Sequence, residues 1–443
     1  MERRDPLARL LGIFADVYME VKNDVAATRE DPLTELFNEV YNNFYRAETL
    51  ERGWNRPVGF VDAGFKSYAF DVMSLSYVQV GGLIRTEDGE LAPLRGFVEE
   101  APVMDTYIIY VTRRRVSGRE GPHYVFRAGI KTPDEETLLF GSRREVEEAS
   151  RRVSETLSRL HLDVSYRNRK QFKKITEYLE GLLELAYAVR LYEYASREAG
   201  VEYVCLDGTL LRWFSIRGRG IRADGLDILA AMLGVEPKEA REKLDRIVGL
   251  SKKTNLLSVM RARSVLRGRN MYANVNLIGA EKAAATLRWV VREGYKYGDE
   301  QLDKGMVDQI TMVINRPVFP AHGVWVARFP LTMDGRNVMV LDLYRPGFIL
   351  DSRGELDRDL ARKTIEDVRS VVNTLYAYRE PLEGEPPMGF MKVDEMVRLR
   401  SGESRIIETL LLEAARRTGD RDAMSIAASL ASTLRMRYGY KLT

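Results

Sequence analysis

The chain has 443 residues, 45% of them hydrophobic and 30% charged, with a formal net charge of only +3. That composition can build a sizeable core and excludes a disordered chain, and the length predicts two domains or one core with large helical insertions. Total charge is too small to argue for any partner, so local clusters of charge have to answer that question.

A single thiol, Cys205, excludes an internal disulfide and a cysteine-built zinc site, and His123, His161 and His322 are not spaced as zinc ligands. A metal here would be held by oxygen, the preference of hard divalent ions. The N-terminal stretch is interrupted by acids, and its apolar residues recur at helical spacing, unlike a signal peptide. No run approaches the roughly 18 apolar residues of a membrane span, so a soluble cytoplasmic protein is expected. Arginine outnumbers lysine, in keeping with a heat-adapted source.

Residues 1–50 read as amphipathic helices. Residues 57–115 are strand-rich: Val58 to Val61, Tyr68 to Met73, Tyr77 to Ile84 and Tyr107 to Val111 are β-branched and aromatic runs broken by Gly and Asp. Arg113, Arg114, Arg115 and Arg119 mark an exposed loop or hairpin. Residues 143–200 are helical, and Val201 to Leu211 returns to strand. Residues 226–248 read as a helical insertion turning at Gly234 to Pro237. Two strands, Val324 to Phe329 and Val338 to Leu343, flank the hairpin signal Asp334–Gly335. Helices are expected near 357–378, 403–417 and 421–436. Strands, then helix, then strand again define an α/β layer fold.

Two segments carry the chemistry. In Phe60–Val61–Asp62–Ala63–Gly64 an apolar strand delivers a carboxylate, and Gly64 is expected to turn the chain. Val204–Cys205–Leu206–Asp207–Gly208–Thr209 repeats the arrangement later in the chain. An Asp within an apolar strand is costly unless it is paired, and a shared divalent cation would offset that cost for both. Asp-Gly is also the commonest hairpin turn, so either site alone has a purely structural reading. The helix between them carries Glu177, Glu180, Glu184 and Glu193. Glu184 lies among Leu and Ala residues, and Glu180, Glu184 or Glu193 could complete a metal site.

Lys252 and Lys253 follow a short apolar run and Ser251, a place for a phosphate contact or for a charged helix end. Basic clusters at Arg143–Arg144, Arg151–Arg152, Arg167 to Lys174 and Arg261 to Arg269 have Tyr166, Phe172, Tyr272, Tyr295 and Tyr297 in or near them. Interleaved cations and aromatics suit single-stranded nucleic acid. A Pro-rich entry at Pro386–Pro387 leads to Asp394, which read alone is an N-terminal helix acid.

In chain order, Asp62–Ala63–Gly64, Glu184, Leu206–Asp207–Gly208–Thr209–Leu210, Ser251 to Thr254 and Pro386 to Asp394 together resemble the archaeal NurA nuclease family, over about residues 56–400. The first motif departs from the family's commoner Asp-Gly-Ser, and Val393–Asp394 stands where Ala-His or Ala-Asp is usual. The resemblance implies an RNase-H-like α/β core, a mixed sheet flanked by helices with helical insertions. It also implies a homodimer and Mn²⁺-dependent (or Mg²⁺-dependent) cleavage of DNA, by 5′–3′ exonuclease and single-strand endonuclease action. A HerA-type hexameric ATPase would be the partner, in end resection at double-strand breaks. Asp62, Glu184, Asp207 and Asp394 would be the metal ligands, Lys253 would meet the scissile phosphate, and Lys252, Lys253 and Tyr272 would contact DNA. One or two ions, about 4 Å apart if two, would activate water and stabilise the leaving oxygen. The expected segments are an N-terminal helical part at 1–55, a nuclease core at 56–400 with an insertion at about 222–300, and C-terminal helices at 401–443.

Three other readings compete. Leu206–Asp207–Gly208–Thr209 matches part of a haloacid-dehalogenase signature, but the nucleophilic Asp required two positions earlier is Cys205 here. An actin-like kinase or ATPase also places Asp-x-Gly on strands, yet needs Gly and Thr where this chain has Leu210–Leu211–Arg212. A non-catalytic DNA-binding scaffold would bind without cleaving.

Overall fold

The structure is a computed structural model. It describes residues 6–28, 43–46, 56–70, 73–94, 103–118, 121–159, 169–210, 225–251, 271–274, 277–278, 281, 296–297, 300–301, 324–332, 338–345, 356–377, 388–421 and 424. In chain order its principal elements begin with helix α1 (Pro6–Thr28), strand β1 (Asn43–Arg46), β2 (Val58–Ala69), β3 (Met73–Arg85), β4 (Leu91–Pro93), β5 (Met104–Gly118) and β6 (Gly121–Lys131). After the short pair β7 (Glu136–Thr137) and β8 (Gly141–Ser142) come α2 (Arg143–Arg159), α3 (Arg169–Glu198), β9 (Tyr203–Asp207), α4 (Gly225–Leu233), α5 (Pro237–Glu242) and β10 (Ile247–Ser251). Then follow β11 (Met271–Asn274), β12 (Lys296–Tyr297), β13 (Glu300–Gln301), β14 (Val324–Thr332), β15 (Val338–Arg345), α6 (Arg358–Ala377), α7 (Met388–Val397) and α8 (Ser401–Thr418).

Two compact units divide the chain, and their cuts differ from the expected segments. One holds residues 1–48, 252–341 and 347–372, and the other holds 49–251, 342–346 and 373–443. In the first unit, β1 pairs antiparallel with β11, which pairs antiparallel with β14 through Tyr272 and Leu331. Helix α1, in the same unit, leaves Leu10, Phe14, Val17 and Val21 about half exposed, a stripe at alternating spacings of four and three. No described helix is long and apolar enough to cross a membrane.

The second unit contains the site. Its strands run, in order, from the part of β15 that begins at Asp342 through β10, β9, β2, β3 and β5 to β6. β2, β3, β5 and β6 form an antiparallel meander. The chain then passes through α2 and α3 and returns as β9, parallel to β2, and β10 lies parallel to β9. Three antiparallel strands, a helix, a fourth strand parallel to the first and a fifth parallel to the fourth make the RNase-H-like order 3-2-1-4-5, here extended by β6. The expected hairpin around residues 113–130 is the β5–β6 pair, joined in register from Ile108–Lys131 to Gly118–Gly121. Residues 247–251, expected within a helical insertion, are strand β10, and that strand completes the order.

The packing follows from the side chains. Helix α2 buries Val146, Ala149, Val153 and Leu157, the three-to-four spacing of one helical face. α3 is enclosed nearly all round, with Leu179, Leu182, Leu183, Leu185 and Ala186 at zero exposure. The first four residues of β2 are all buried, because strands flank it on both sides and helices cover both of its faces. Each fully buried Leu, Val or Phe of this core contributes about 1.5–3 kcal/mol.

Candidate active site

The register of β2 against β9 decides the central geometry. Val58 partners Tyr203, Gly59 Val204, Phe60 Cys205 and Val61 Leu206. The next step of the same register sets Asp62 level with Asp207, on adjacent parallel strands. Both side chains are partly buried, and Asp62 Oδ1 accepts a hydrogen bond from the N–H of Ala63 at 2.8 Å.

Which helix covers Asp62 follows from the alternation of β2. Its pairing with β3 runs without a bulge from Val58–Arg85 to Ala69–Ser74, so even and odd positions keep to opposite faces. Phe60 stacks edge-on against Phe390 of α7, with ring centroids 5.1 Å apart. A Cβ at Gly64 would stand 2.0 Å from the carbonyl oxygen of Val397, the last residue of α7. Even positions, Asp62 among them, therefore face α7. On the odd face, the position of a Cβ at Gly59 meets Leu191 of α3, and Ser67 donates to Glu180 of α3 at 2.5 Å.

This geometry places each of the expected ligands. Asp62 and Asp207 are brought level. Asp394 lies on α7, over the face that Asp62 shares, and accepts from Arg398 one turn on. It is the seventh residue of that helix rather than part of its N-terminal turn. Glu184 is 1% exposed, on α3, so the sheet stands between its helix and the face of Asp62. The alternatives on the same helix have other work. Glu180 is tied to Ser67, and burial pushes its carboxyl above the usual range, with the seryl hydrogen bonds opposing. Glu193 takes Arg190 at 2.6 Å and also Lys243; burial opposes its ionisation, but these two cations hold its carboxyl below the usual range.

Gly64, expected to turn the chain, sits instead in mid-strand opposite Gln79, where its bare Cα admits the end of α7. The turn comes after the second acid: Gly208 has φ +126°, a conformation that favours glycine. Lys252 and Lys253 lie outside the described residues, as do the expected turn at Asp334–Gly335 and nearly all of 421–436. Ser251, just before the lysines, ends a strand and not a helix. Tyr272 is 1% exposed on β11, so its ring is enclosed by protein and is not offered to a base. On α2, Arg151 pairs with Glu155 at 3.0 Å and Arg152 with Glu148 at 3.3 Å, so acids of the same helix answer this part of the basic pattern.

Asp342 was missed by sequence reasoning. It is at zero exposure on β15 and accepts a hydrogen bond from Thr209 Oγ1 at 2.6 Å. The signal that could have found it was the one used for the other two, a lone Asp inside an apolar strand, Val340–Leu341–Asp342–Leu343.

Among the described residues, no group of three or more His, Cys, Asp or Glu side chains gathers as a metal cage. A level pair of carboxylates still fits a hard divalent ion, since Mg²⁺-like ions take one or two carboxylates and fill the remaining positions with water and substrate phosphate. Fold and site together define an RNase-H-like α/β protein with two acids at matched positions on parallel strands.

No family model and no curated protein matches the sequence. Among solved structures the chain is similar to the NurA nuclease from Sulfolobus solfataricus, at 13% identity and a TM-score of 0.45, over 94% of this chain and 98% of that one. It is also similar to a second NurA structure (9%, TM-score 0.29, 94% and 99%) and to NurA with manganese (9%, TM-score 0.26, 90% and 97%). The fold class rests on the strand order and register above, not on these superpositions.

Proposed function

We propose that this chain is a metal-dependent DNA nuclease in which Asp62 and Asp207 hold the ion. The observation that carries this reading is the parallel register of β2 and β9, which runs to Val61 and Leu206 and leads directly into those two acids. A bound divalent ion would supply a Lewis acid and an activated water. The protein's part is to fix both carboxylates on rigid strands, with Asp394 as the third acid of the proposal on the helix over the face of Asp62. Glu184 stays outside this set. Lys253, which follows β10 closely in sequence, is assigned the scissile phosphate, with Lys252 beside it on DNA.

The finer reading rests on the sequence resemblance. It comprises 5′–3′ exonuclease and single-strand endonuclease action, Mn²⁺ as the working ion, a homodimer, and a HerA-type ATPase as partner in end resection. The exposed apolar stripe on α1 is a surface suited to a protein contact.

The test is cleavage of labelled single- and double-stranded DNA with Mn²⁺, Mg²⁺ or chelator. Asp62→Asn and Asp207→Asn should each lose at least about 100-fold in rate, beyond the usual cost of an outer-shell change, while retaining the parent's far-UV spectrum. Parental rates in both variants, or no cleavage with any ion, would end the proposal. ATP hydrolysis without cleavage would favour the actin-like alternative.

A further inference from the structure

The turn that follows Asp207 is anchored at three points. Gly208 donates its N–H to the carbonyl of Leu250 at 3.0 Å. A Cβ at Gly249 would fall 2.8 Å from the nitrogen of Leu210 and 2.9 Å from the oxygen of Gly208, so the turn lies directly against β10. Thr209 donates its hydroxyl to Asp342 on β15. The first two anchors are backbone contacts, and the third is a buried carboxylate. Burying a carboxylate is costly unless hydrogen bonds compensate, so an apolar residue at 342 would be the cheaper choice if packing alone mattered.

We infer that Asp342 is a positioning residue: through Thr209 it fixes the Asp207–Gly208–Thr209 turn and thereby the direction of the Asp207 carboxylate. This rests on Asp207 being a metal ligand, as proposed above. Outer-shell partners that orient a ligand typically change metal affinity by about 10–100-fold when removed. The contact also ties the turn after β9 to β15, with β10 between them in strand order.

The test is Mn²⁺ binding, followed by the electron paramagnetic resonance of free Mn²⁺, on the full chain and on Thr209→Val, Thr209→Ser and Asp342→Ala. Thr209→Val and Asp342→Ala should weaken Mn²⁺ binding about 10–100-fold, and Thr209→Ser, which keeps the hydroxyl, should restore it. Thr209→Val alters a partly buried side chain only slightly in size, so it remains informative if Asp342→Ala fails to fold. Parental Mn²⁺ affinity in a folded Thr209→Val variant overturns the inference while leaving the nuclease reading intact. Absence of both Mn²⁺ binding and cleavage in the parent overturns that reading and this inference with it.

Discussion

Replacing Gly64 by Ala tests how α7 is seated on the strand that carries Asp62. Elsewhere in a strand this change helps, by about 0.5–1 kcal/mol, because glycine loses the most backbone freedom on folding. Here the new Cβ would stand 2.0 Å from the carbonyl oxygen of Val397 and 3.0 Å from its carbon. Both are backbone atoms, so no side-chain rotation relieves the overlap, and either α7 or β2 must move. Overpacking of this kind costs about 1–3 kcal/mol. Set against that usual gain, the net loss is about 1 kcal/mol, which lowers Tm by roughly 2–4 °C in a unit of this size. Differential scanning calorimetry on the parent and Gly64→Ala reads the shift. Gly402→Ala is the control, since a Cβ there meets nothing within 4 Å and α8 should gain up to about 1 kcal/mol. If Gly64→Ala melts at or above the parental temperature, the close approach of α7 to β2 is wrong, and with it the placement of Asp394 over the face of Asp62.

Two further predictions concern the buried core. Asp105 is at zero exposure; burial raises its carboxyl to about 6, against hydrogen bonds from the N–H groups of Leu138 and Leu139 and from the Tyr107 hydroxyl. A folded pKa above the unfolded one means that its contribution is fully present below about 4 and is lost as pH rises through about 6. Urea unfolding should therefore show a gain on the order of 3 kcal/mol from Asp105 on acidification across that window, with Glu180, whose carboxyl is also raised, adding to it and Glu193, whose carboxyl is lowered, opposing it. Asp105→Asn should flatten the curve, and an unchanged slope would refute the assignment. Cys205, whose thiol is pushed far up by complete burial, should resist iodoacetamide in the folded protein and react only on unfolding.

Both central acids were legible because each interrupts an apolar strand, a pattern that depends on local sequence alone. From residue 57 to β9 the succession of strands, helices and strand was readable in outline, but β1 lies in a stretch read as helical, and Tyr68 to Met73, read as a strand of its own, takes in the end of β2 and the start of β3. What was not legible depends on packing. Ile247 to Leu250 is a short apolar run, which periodicity cannot divide between helix and strand, so the strand beside β9 was absorbed into a helical insertion. Alternation shows which residues share a face with Asp62 but not which helix covers that face, so the place of α3, which carries Glu184, was not legible. Gly64 looked like a turn because a glycine close behind a strand's acid frees the chain to bend. Its actual use, making room for a helix end, is invisible without the partner. Asp342 carried the same pattern as the two chosen acids but was read only as part of a hairpin strand.

Residues 62 and 207 become neighbours only across a span of 145 positions, through the parallel pairing of β2 with β9. The meander that begins with the strand of Asp62 is local and can pair while the rest of the chain is still being made, since short-range strands close with little entropy cost. A nascent chain that has not yet extended past Asp207 holds one acid and no partner for it. A site that needs both acids is thus completed only after the chain has passed Asp207 and β9 has paired with β2.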